Sequence, residues 1–93
     1  MEAEQFHRIT KALADPTRME ILERIPGGKE VGCSALACEC TVSQLTISHH
    51  LKELSAAGLI QSRREAKFFF YRLDRALWAE YLKEMRRRVP ARR

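Results

Sequence analysis

The chain has 93 residues and a mass of 10.8 kDa, which is enough for one domain at most. Hydrophobic residues make up 45% of it, a fraction that is ordinary for a folded protein and too high for a disordered one. Its 17 Lys and Arg against 12 Asp and Glu give a net charge of +5, so the expected partner is a polyanion, with nucleic acid ahead of an acidic membrane surface.

Secretion and membrane insertion are not expected. The charged segment 1–5 lacks the apolar region of a secretory signal, and no apolar run approaches the roughly 20 residues that span a bilayer. The 3 Cys are an odd number, too few for a disulfide framework, and are expected to be reduced thiols in the cytoplasm. A chain this short buries only about 60–65% of its unfolded surface, so we expect it to associate with a second copy of itself.

Two helices are predicted in the first part of the chain. An apolar stripe at helical spacing indicates a first helix over residues 3–14. Asp15 is a good N-cap and Pro16 suits the first position of a helix, so a second helix is predicted to begin there. The segment Pro26-Gly27-Gly28 ends it.

A second pair of helices follows, joined by a short turn. We predict a third helix over residues 33–40, a turn over 41–43, and a fourth helix over 44–57 that Ser43 caps and Gly58 ends. Two short helices joined by a three-residue turn form a helix-turn-helix, which is predicted over residues 33–57.

The fourth helix has two different faces at about 100° per residue. Its core face carries Ile47, Leu51 and Leu54, and its outward face is polar with few acids, which suits the major groove of DNA. Leu45 also points outward, as a contact for a thymine methyl or as an ordinary exposed Leu. The predicted contacts to bases or nearby phosphates are Ser43, Gln44, Thr46, Ser48 and His49, and those to the phosphate backbone are His50 and Lys52.

A basic hairpin and a last helix complete the prediction. Strands over 59–65 and 67–73, with a tight turn at Glu65-Ala66, form a wing over residues 59–73, in which the side of Phe69, Tyr71 and Leu73 can pack inward. A last helix with a wide apolar stripe is predicted over residues 74–88. The fold class is therefore mainly α with a small β-hairpin, a winged helix-turn-helix of five helices and a two-stranded wing. Further phosphate contacts are expected from Arg63, Arg64 and Lys67 around the tip of the wing.

Three stretches resemble the ArsR/SmtB-type bacterial repressors. The opening signature of that family is similar to Lys11–Leu22. Its recognition helix is similar to Ser43–Leu54 followed by Ala57–Ile60, and the end of its wing is similar to Phe70–Leu73. The resemblance covers about residues 6–85. It implies a homodimeric repressor that binds a palindromic operator in double-stranded DNA and is released by an inducer, often a metal or metalloid ion.

The resemblance also implies that the first and last helices, residues 3–14 and 74–88, form the dimer interface. This agrees with the apolar stripes on both helices. The interface residues expected on that basis are Phe6, Ile9, Leu13, Leu77, Trp78, Tyr81, Leu82 and Met85.

The metal-binding residues of the family are not matched in full by this sequence. Gly32-Cys33-Ser34 stands where one class has a Cys-x-Cys, and residues 74–88 contain no His for the site that another class builds there. On one helix, Cys33 and Cys40 fall on the core face while Cys38 lies roughly 140° from Cys33. We therefore assign no metal ligand and interpret Cys33 and Cys40 as small buried hydrophobes and Cys38 as a free thiol. The alternative is a sensor of the same fold, in which these thiols bind a soft metal or metalloid ion or react with an oxidant.

Three rival functions belong to other classes. A winged-helix module could bind a protein rather than DNA, and an RNA-binding domain would need an exposed aromatic platform. A cysteine enzyme with Cys38 as nucleophile would need a group that orients a His and an oxyanion site, and the sequence indicates neither. We predict a sequence-specific DNA-binding transcriptional regulator that is not an enzyme. The inducer stays open between a metal, a metalloid, an oxidant, an organic ligand and none.

Overall fold

The computed structural model describes residues 1–39 and 43–90. Within that part of the chain, none of the helices is long and apolar enough to cross a membrane. The elements in chain order are α1 (Ala3–Leu13), α2 (Pro16–Arg24), β1 (Val31–Gly32), α3 (Cys33–Glu39), α4 (Gln44–Ala56), β2 (Ile60–Glu65), β3 (Phe68–Leu73) and α5 (Arg75–Arg88).

The predicted start of a second helix at Asp15 is confirmed. The Asp15 carboxylate accepts hydrogen bonds from the backbone N–H groups of Thr17 at 2.8 Å and Arg18 at 3.0 Å. These bonds satisfy two of the N–H groups that a helix start leaves without partners, and Pro16 removes a third. The backbone donation from Arg18, joined by that from Thr17, holds the pKa of Asp15 below its usual range.

The wing contains one strand more than the sequence predicts. β2 and β3 pair antiparallel from Ile60 opposite Leu73 to Glu65 opposite Phe68, and β1 adds to the other edge of β3, giving the order β1-β3-β2. A strand of two residues has no alternation of polar and apolar side chains, so the sequence carries no signal for it.

The turn of the wing also differs from the prediction. Pairing of Glu65 with Phe68 leaves Ala66 and Lys67 as the two turn residues, one position later than expected. Ala66 has φ 55°, in the left-handed region that favours glycine. An Ala at that position gives no recognisable turn signature, which explains the displaced prediction.

The core lies where α1, α2, α3 and α4 meet the start of the wing. The three aliphatic residues predicted for the core face of α4 are confirmed, because Ile47, Leu51 and Leu54 are all 0% exposed. Gly58 follows the end of α4 and has φ +87°, the conformation expected of a glycine that ends a helix. A Cβ at Gly58 would lie 2.9 Å from Leu77 Cδ2, so the glycine also lets α5 approach closely.

α5 packs against α1 within the same subunit. The rings of Phe6 and Tyr81 stack with centroids 5.2 Å apart, and the Tyr81 hydroxyl lies 2.8 Å from Thr10 Oγ1. Arg88 covers the other side of this contact, with its guanidinium carbon 4.3 Å from the centroid of Phe6. The two helices predicted to form the dimer interface are therefore already joined to each other in one subunit.

This packing corrects part of the expected dimer interface. Phe6, Ile9 and Tyr81 are 6%, 0% and 4% exposed in the single chain, so almost none of their surface is left for a partner. The expectation treated every apolar residue of both stripes as free, whereas α1 and α5 bury part of their stripes in the subunit core. The members that keep exposed or half-buried surface are Leu13, Leu77, Trp78, Leu82 and Met85.

Candidate nucleic-acid interface

The outward face of α4 is open to solvent along its length. Leu45 is 83% exposed, and Thr46, Ser48, His49 and Lys52 are exposed as well. Because the opposite face of the same helix is fully buried, α4 is held firmly while it presents these side chains outward. The structure thus brings Thr46, Ser48 and His49, the predicted base-contact candidates that are described on this helix, to one surface. The Gln44 side chain and residues 40–42, which include the first two residues of the predicted turn, lie outside the described part.

The first turn of α4 is fixed by Ser43. Its hydroxyl accepts a hydrogen bond from the backbone N–H of Thr46 at 3.3 Å and lies 3.0 Å from Thr46 Oγ1. Both side chains remain exposed, so the capping hydroxyls lie on the outward surface of the helix.

His50 lies at the edge of α4, half-buried, as the helical angles predict. Its Nδ1 is buried and has no hydrogen-bond partner among the described residues. Of the two ring nitrogens, Nδ1 is therefore not accessible from solvent. The neighbouring ring of His49 has its centroid 5.7 Å away and is exposed.

Arg63, which the sequence analysis expects to bind the DNA backbone, lies in an ion pair rather than free at the tip of the wing. Its Nε and Nη2 donate to the two carboxylate oxygens of Glu30, each at 2.9 Å, and its Nη1 donates to Glu65 at 3.1 Å. Its guanidinium also lies 4.8 Å from the centroid of Phe70. Donation to Glu30 raises the pKa of Arg63, and the same bonds lower the pKa of Glu30. The sequence gives no sign of this pairing, since Glu30 precedes the unpredicted strand β1.

Arg64 and Lys67 are the two cations nearest the turn of the wing, and both keep their charge available. Neither forms an ion pair with a carboxylate of the described residues, although Arg64 Nε donates to the carbonyl of Ala66 at 3.0 Å. The Arg64 guanidinium lies 5.4 Å from the centroid of Phe69, and Lys67 Nζ lies 5.6 Å from that of Phe68. These contacts hold both cations against the hairpin without neutralising them.

The aromatic residues of the wing are packed less completely than expected. Tyr71 is buried and Leu73 half-buried, as predicted, but Phe68 and Phe69 are 53% and 44% exposed. The reason is the position of the turn: both residues lie beside the tip, beyond the reach of the helices that cover Tyr71. Two exposed aromatic side chains therefore lie next to Arg64 and Lys67.

The thiols give no metal site within the described structure. Cys33 is half-buried against the core, with its Sγ 3.7 Å from Ser48 Oγ on α4. The side chain of Cys38 and all of Cys40 lie outside the described residues. Among the residues that are described, no three His, Cys, Asp or Glu side chains come together in a way that could hold a metal ion.

These elements define the class of protein. The short helix α3, the capped helix α4 that begins five residues after its end, and the basic hairpin have the order and lengths of a winged helix-turn-helix, a fold that places its second helix in the major groove of DNA.

Comparison with known proteins agrees with this class. Residues 13–63 match a family model described as a helix-turn-helix domain. Transcriptional repressor SdpR of Bacillus subtilis is 35% identical over 69 residues, which cover 74% of this chain and 76% of the repressor. The solved structure of an ArsR-like transcriptional regulator from Rhodococcus sp. RHA1 superposes with a TM-score of 0.79 at 31% identity, covering 90% of this chain and 78% of that one. A homodimeric winged helix-turn-helix DNA-binding domain from Mycobacterium bovis, solved by NMR, gives a TM-score of 0.73 at 28% identity, over 88% of this chain and 76% of that one.

The chain belongs to the ArsR family of winged helix-turn-helix transcriptional regulators. The predicted fold class and family are thereby confirmed. The members of this family regulate transcription by binding DNA and are not enzymes.

Proposed function

We propose that the protein is a homodimeric transcriptional repressor that lays α4 of each subunit in the major groove of a palindromic operator. The observation that carries this proposal is the contrast between the two faces of α4, one fully buried and the other exposed and polar. Such a helix is positioned rigidly and still offers hydrogen-bonding side chains to base edges. The B. subtilis relative that matches three quarters of the chain is itself a repressor.

The proposed contacts divide into two groups. Base edges and nearby phosphates are contacted from the start and outward face of α4. The DNA backbone is contacted by His50 and Lys52 on α4 and by Arg64 and Lys67 on the wing, because these side chains carry donors without a carboxylate partner among the described residues. The residues proposed for the first group are Ser43, Gln44, Thr46, Ser48 and His49.

The proposed dimer forms through α1 and α5. Leu82 is 40% exposed on α5, and the half-buried Trp78 and Met85 lie on the same helix. Together with Leu13 and Leu77 they leave apolar surface that a second copy can cover, and the M. bovis relative is a homodimer. Two copies would span half-sites about one helical turn apart, roughly 34 Å.

The experiment is a fluorescence-anisotropy titration on the DNA upstream of the protein's own coding sequence, against a scrambled duplex of equal composition. We expect tighter binding to the natural duplex, and we expect Gln44→Ala to cost about 1–3 kcal/mol and to relax the preference at one base position. Gln5→Ala on α1 is the matched control. An equal loss on both duplexes would remove Gln44 from the base contacts, and no binding to either at low salt would overturn the proposal.

The dimer has its own test. Sedimentation equilibrium should give the mass of two chains, and Leu82→Lys should shift the equilibrium toward one chain while the fold persists in circular dichroism. A wild-type protein that sediments as a single chain at micromolar concentration would contradict the proposed arrangement.

A second candidate, a thiol sensor of the same fold, concerns what releases the protein from DNA. Cys33 lies against Ser48, so a change at its thiol would act directly on the helix proposed to read DNA. Repeating the titration with zinc, arsenite and peroxide, with Cys33, Cys38 and Cys40 changed singly to Ser, tests this. Unchanged release in all three variants would exclude the thiols.

A further inference from the structure

A cleft of about 770 Å³ lies between the wing, the start of α3 and the flank of α4. Its aromatic wall is formed by four consecutive residues of β3: Phe68, Phe69, Phe70 and Tyr71. The first two are substantially exposed, so a flat apolar ligand could gain contact area there without displacing core side chains.

The charged side chains that line the cleft are all positive among the described residues. Lys52 enters it from α4 and Lys67 from the wing, while none of the described residues that line it is an Asp or a Glu. An anion in the cleft would therefore meet two cations and no opposing carboxylate from the described lining.

Hydroxyl groups complete the lining. Four serines line the cleft: Ser34, Ser48, Ser55 and Ser62. The hydroxyls of the exposed Ser34, Ser48 and Ser62 can donate hydrogen bonds to a bound carboxylate. Burial, followed by the nearby thiol of Cys33, raises the pKa of Tyr71, so its hydroxyl stays protonated and able to donate.

We propose that this cleft is a binding site for a small aromatic carboxylate. The rings of Phe68 and Phe69 would cover the aromatic part of the ligand, and Lys52 and Lys67 would bind its carboxylate. An inorganic anion would use the lysines but leave the aromatic wall exposed, and a neutral hydrocarbon would leave the lysines unpaired. The combination of both features points to a ligand that carries both.

The position of the cleft gives the ligand a regulatory effect, and this part of the inference rests on the proposed function. Ser48, Lys52 and Lys67 are also proposed DNA contacts. A carboxylate held by the two lysines withdraws positive charge from the DNA surface and fills the space between α4 and the wing. Ligand and DNA therefore compete, and the ligand acts as an inducer.

The test uses 2-naphthoate as probe and 2-naphthamide as its neutral counterpart of nearly the same shape. Binding is followed by amide chemical shifts of the ¹⁵N-labelled protein without DNA, so the result does not depend on whether the proposed operator exists. We expect 2-naphthoate to shift the resonances of Ser48, Ser55 and Tyr71, and 2-naphthamide to bind several-fold more weakly.

Two variants locate the site and one serves as control. Lys67→Met should weaken 2-naphthoate binding about 3- to 5-fold, the range of an ion pair near the surface. Phe69→Ala should weaken both probes. Lys83→Met, on the exposed part of α5, removes the same charge and should change neither affinity.

The outcomes separate clearly. No shift at the cleft up to the solubility limit of 2-naphthoate, or equal affinity for the two probes, overturns the proposed site. If 2-naphthoate binds there but leaves a DNA complex intact at saturation, the inducer role is overturned. If the protein binds the probe but no DNA, the proposed function fails and the site stands.

Discussion

Arg63 and Glu30 form a two-bond ion pair in which Nε and Nη2 each lie 2.9 Å from a carboxylate oxygen. The pair connects the middle of β2 to the residue that precedes β1, across 33 positions of the chain. It also separates Arg63, whose charge is balanced by Glu30, from Arg64 and Lys67 near the turn, which have no carboxylate partner among the described residues.

The division predicts different effects on the salt dependence of DNA binding. Arg64→Ala should weaken binding to all sequences alike and reduce the slope of log Kd against log salt by about one unit, because one phosphate contact is lost. Arg63→Ala should leave the slope nearly unchanged, because its charge is already balanced by Glu30. The measurement is anisotropy at four or more salt concentrations. A slope that falls equally in both variants would show that Arg63 leaves Glu30 in the complex.

Leu45 should contribute to binding through a thymine methyl. It is 83% exposed on the outward face of α4, where it adds nothing to the core. We expect Leu45→Ala to weaken binding by about 1 kcal/mol, the value of a lost methyl contact, without lowering the unfolding midpoint. Replacing thymine by uracil in the duplex should weaken the wild type and bring the two proteins to equal affinity. A Leu45→Ala loss that persists unchanged on the uracil duplex would contradict the methyl contact.

Leu51, on the other side of the same helix, should matter for stability. It is 0% exposed, so Leu51→Ala leaves a cavity and should lower the free energy of unfolding by about 2–5 kcal/mol. Urea denaturation followed by circular dichroism measures this. The matched control is Leu45→Ala, for which the expected change is within about 0.5 kcal/mol. Equal losses in the two variants would mean that α4 is not oriented as described.

Glu84 should make the protein sensitive to acid. Its carboxylate accepts from Arg87 at 2.6 and 3.0 Å and from Arg88 at 2.8 Å. Donation from Arg87, and then from Arg88, lowers its pKa from 4.5 to about 2. Because the folded pKa lies below the unfolded one, this stabilisation is complete above pH 4.5 and is lost as the pH falls toward 2.

The variant that tests this is Glu84→Gln, measured by thermal denaturation at several pH values across that interval. It should be less stable than the wild type near neutral pH, and the difference should shrink as the pH falls. Glu80→Gln, an exposed position on the same helix, is the control and should show no such trend. A constant difference at every pH would assign the loss to packing rather than to ionisation.

Sequence periodicity predicts the helices of this fold closely, and local signals mark the starts of α2 and α4. Asp15 and Ser43 cap helices and Gly58 ends one, and their side-chain or backbone chemistry acts within a few residues. The buried face of α4 follows from helical angles alone. The helix boundaries depend on these local interactions, so the sequence predicts them to within about one residue.

Contacts between distant parts of the chain could not be predicted in the same way. The pairing of β1 with β3, the ion pair of Arg63 with Glu30 and the stacking of Phe6 on Tyr81 each join segments with no local signature. As a result the sequence assigned Arg63 to DNA and Phe6 to a partner subunit, whereas both are engaged within the chain. The cleft beside the wing is likewise a product of tertiary packing.

The close approach of Leu77 to Gly58 limits which residues this position accepts. A Cβ there would lie 2.9 Å from the end of the Leu77 side chain, which would have to move aside. The backbone at Gly58 also has φ +87°, a conformation that residues with a side chain rarely adopt. Any substitution at Gly58 therefore combines local strain with repacking of Leu77, and its first effect falls on the junction that follows α4 rather than on the outward face of that helix.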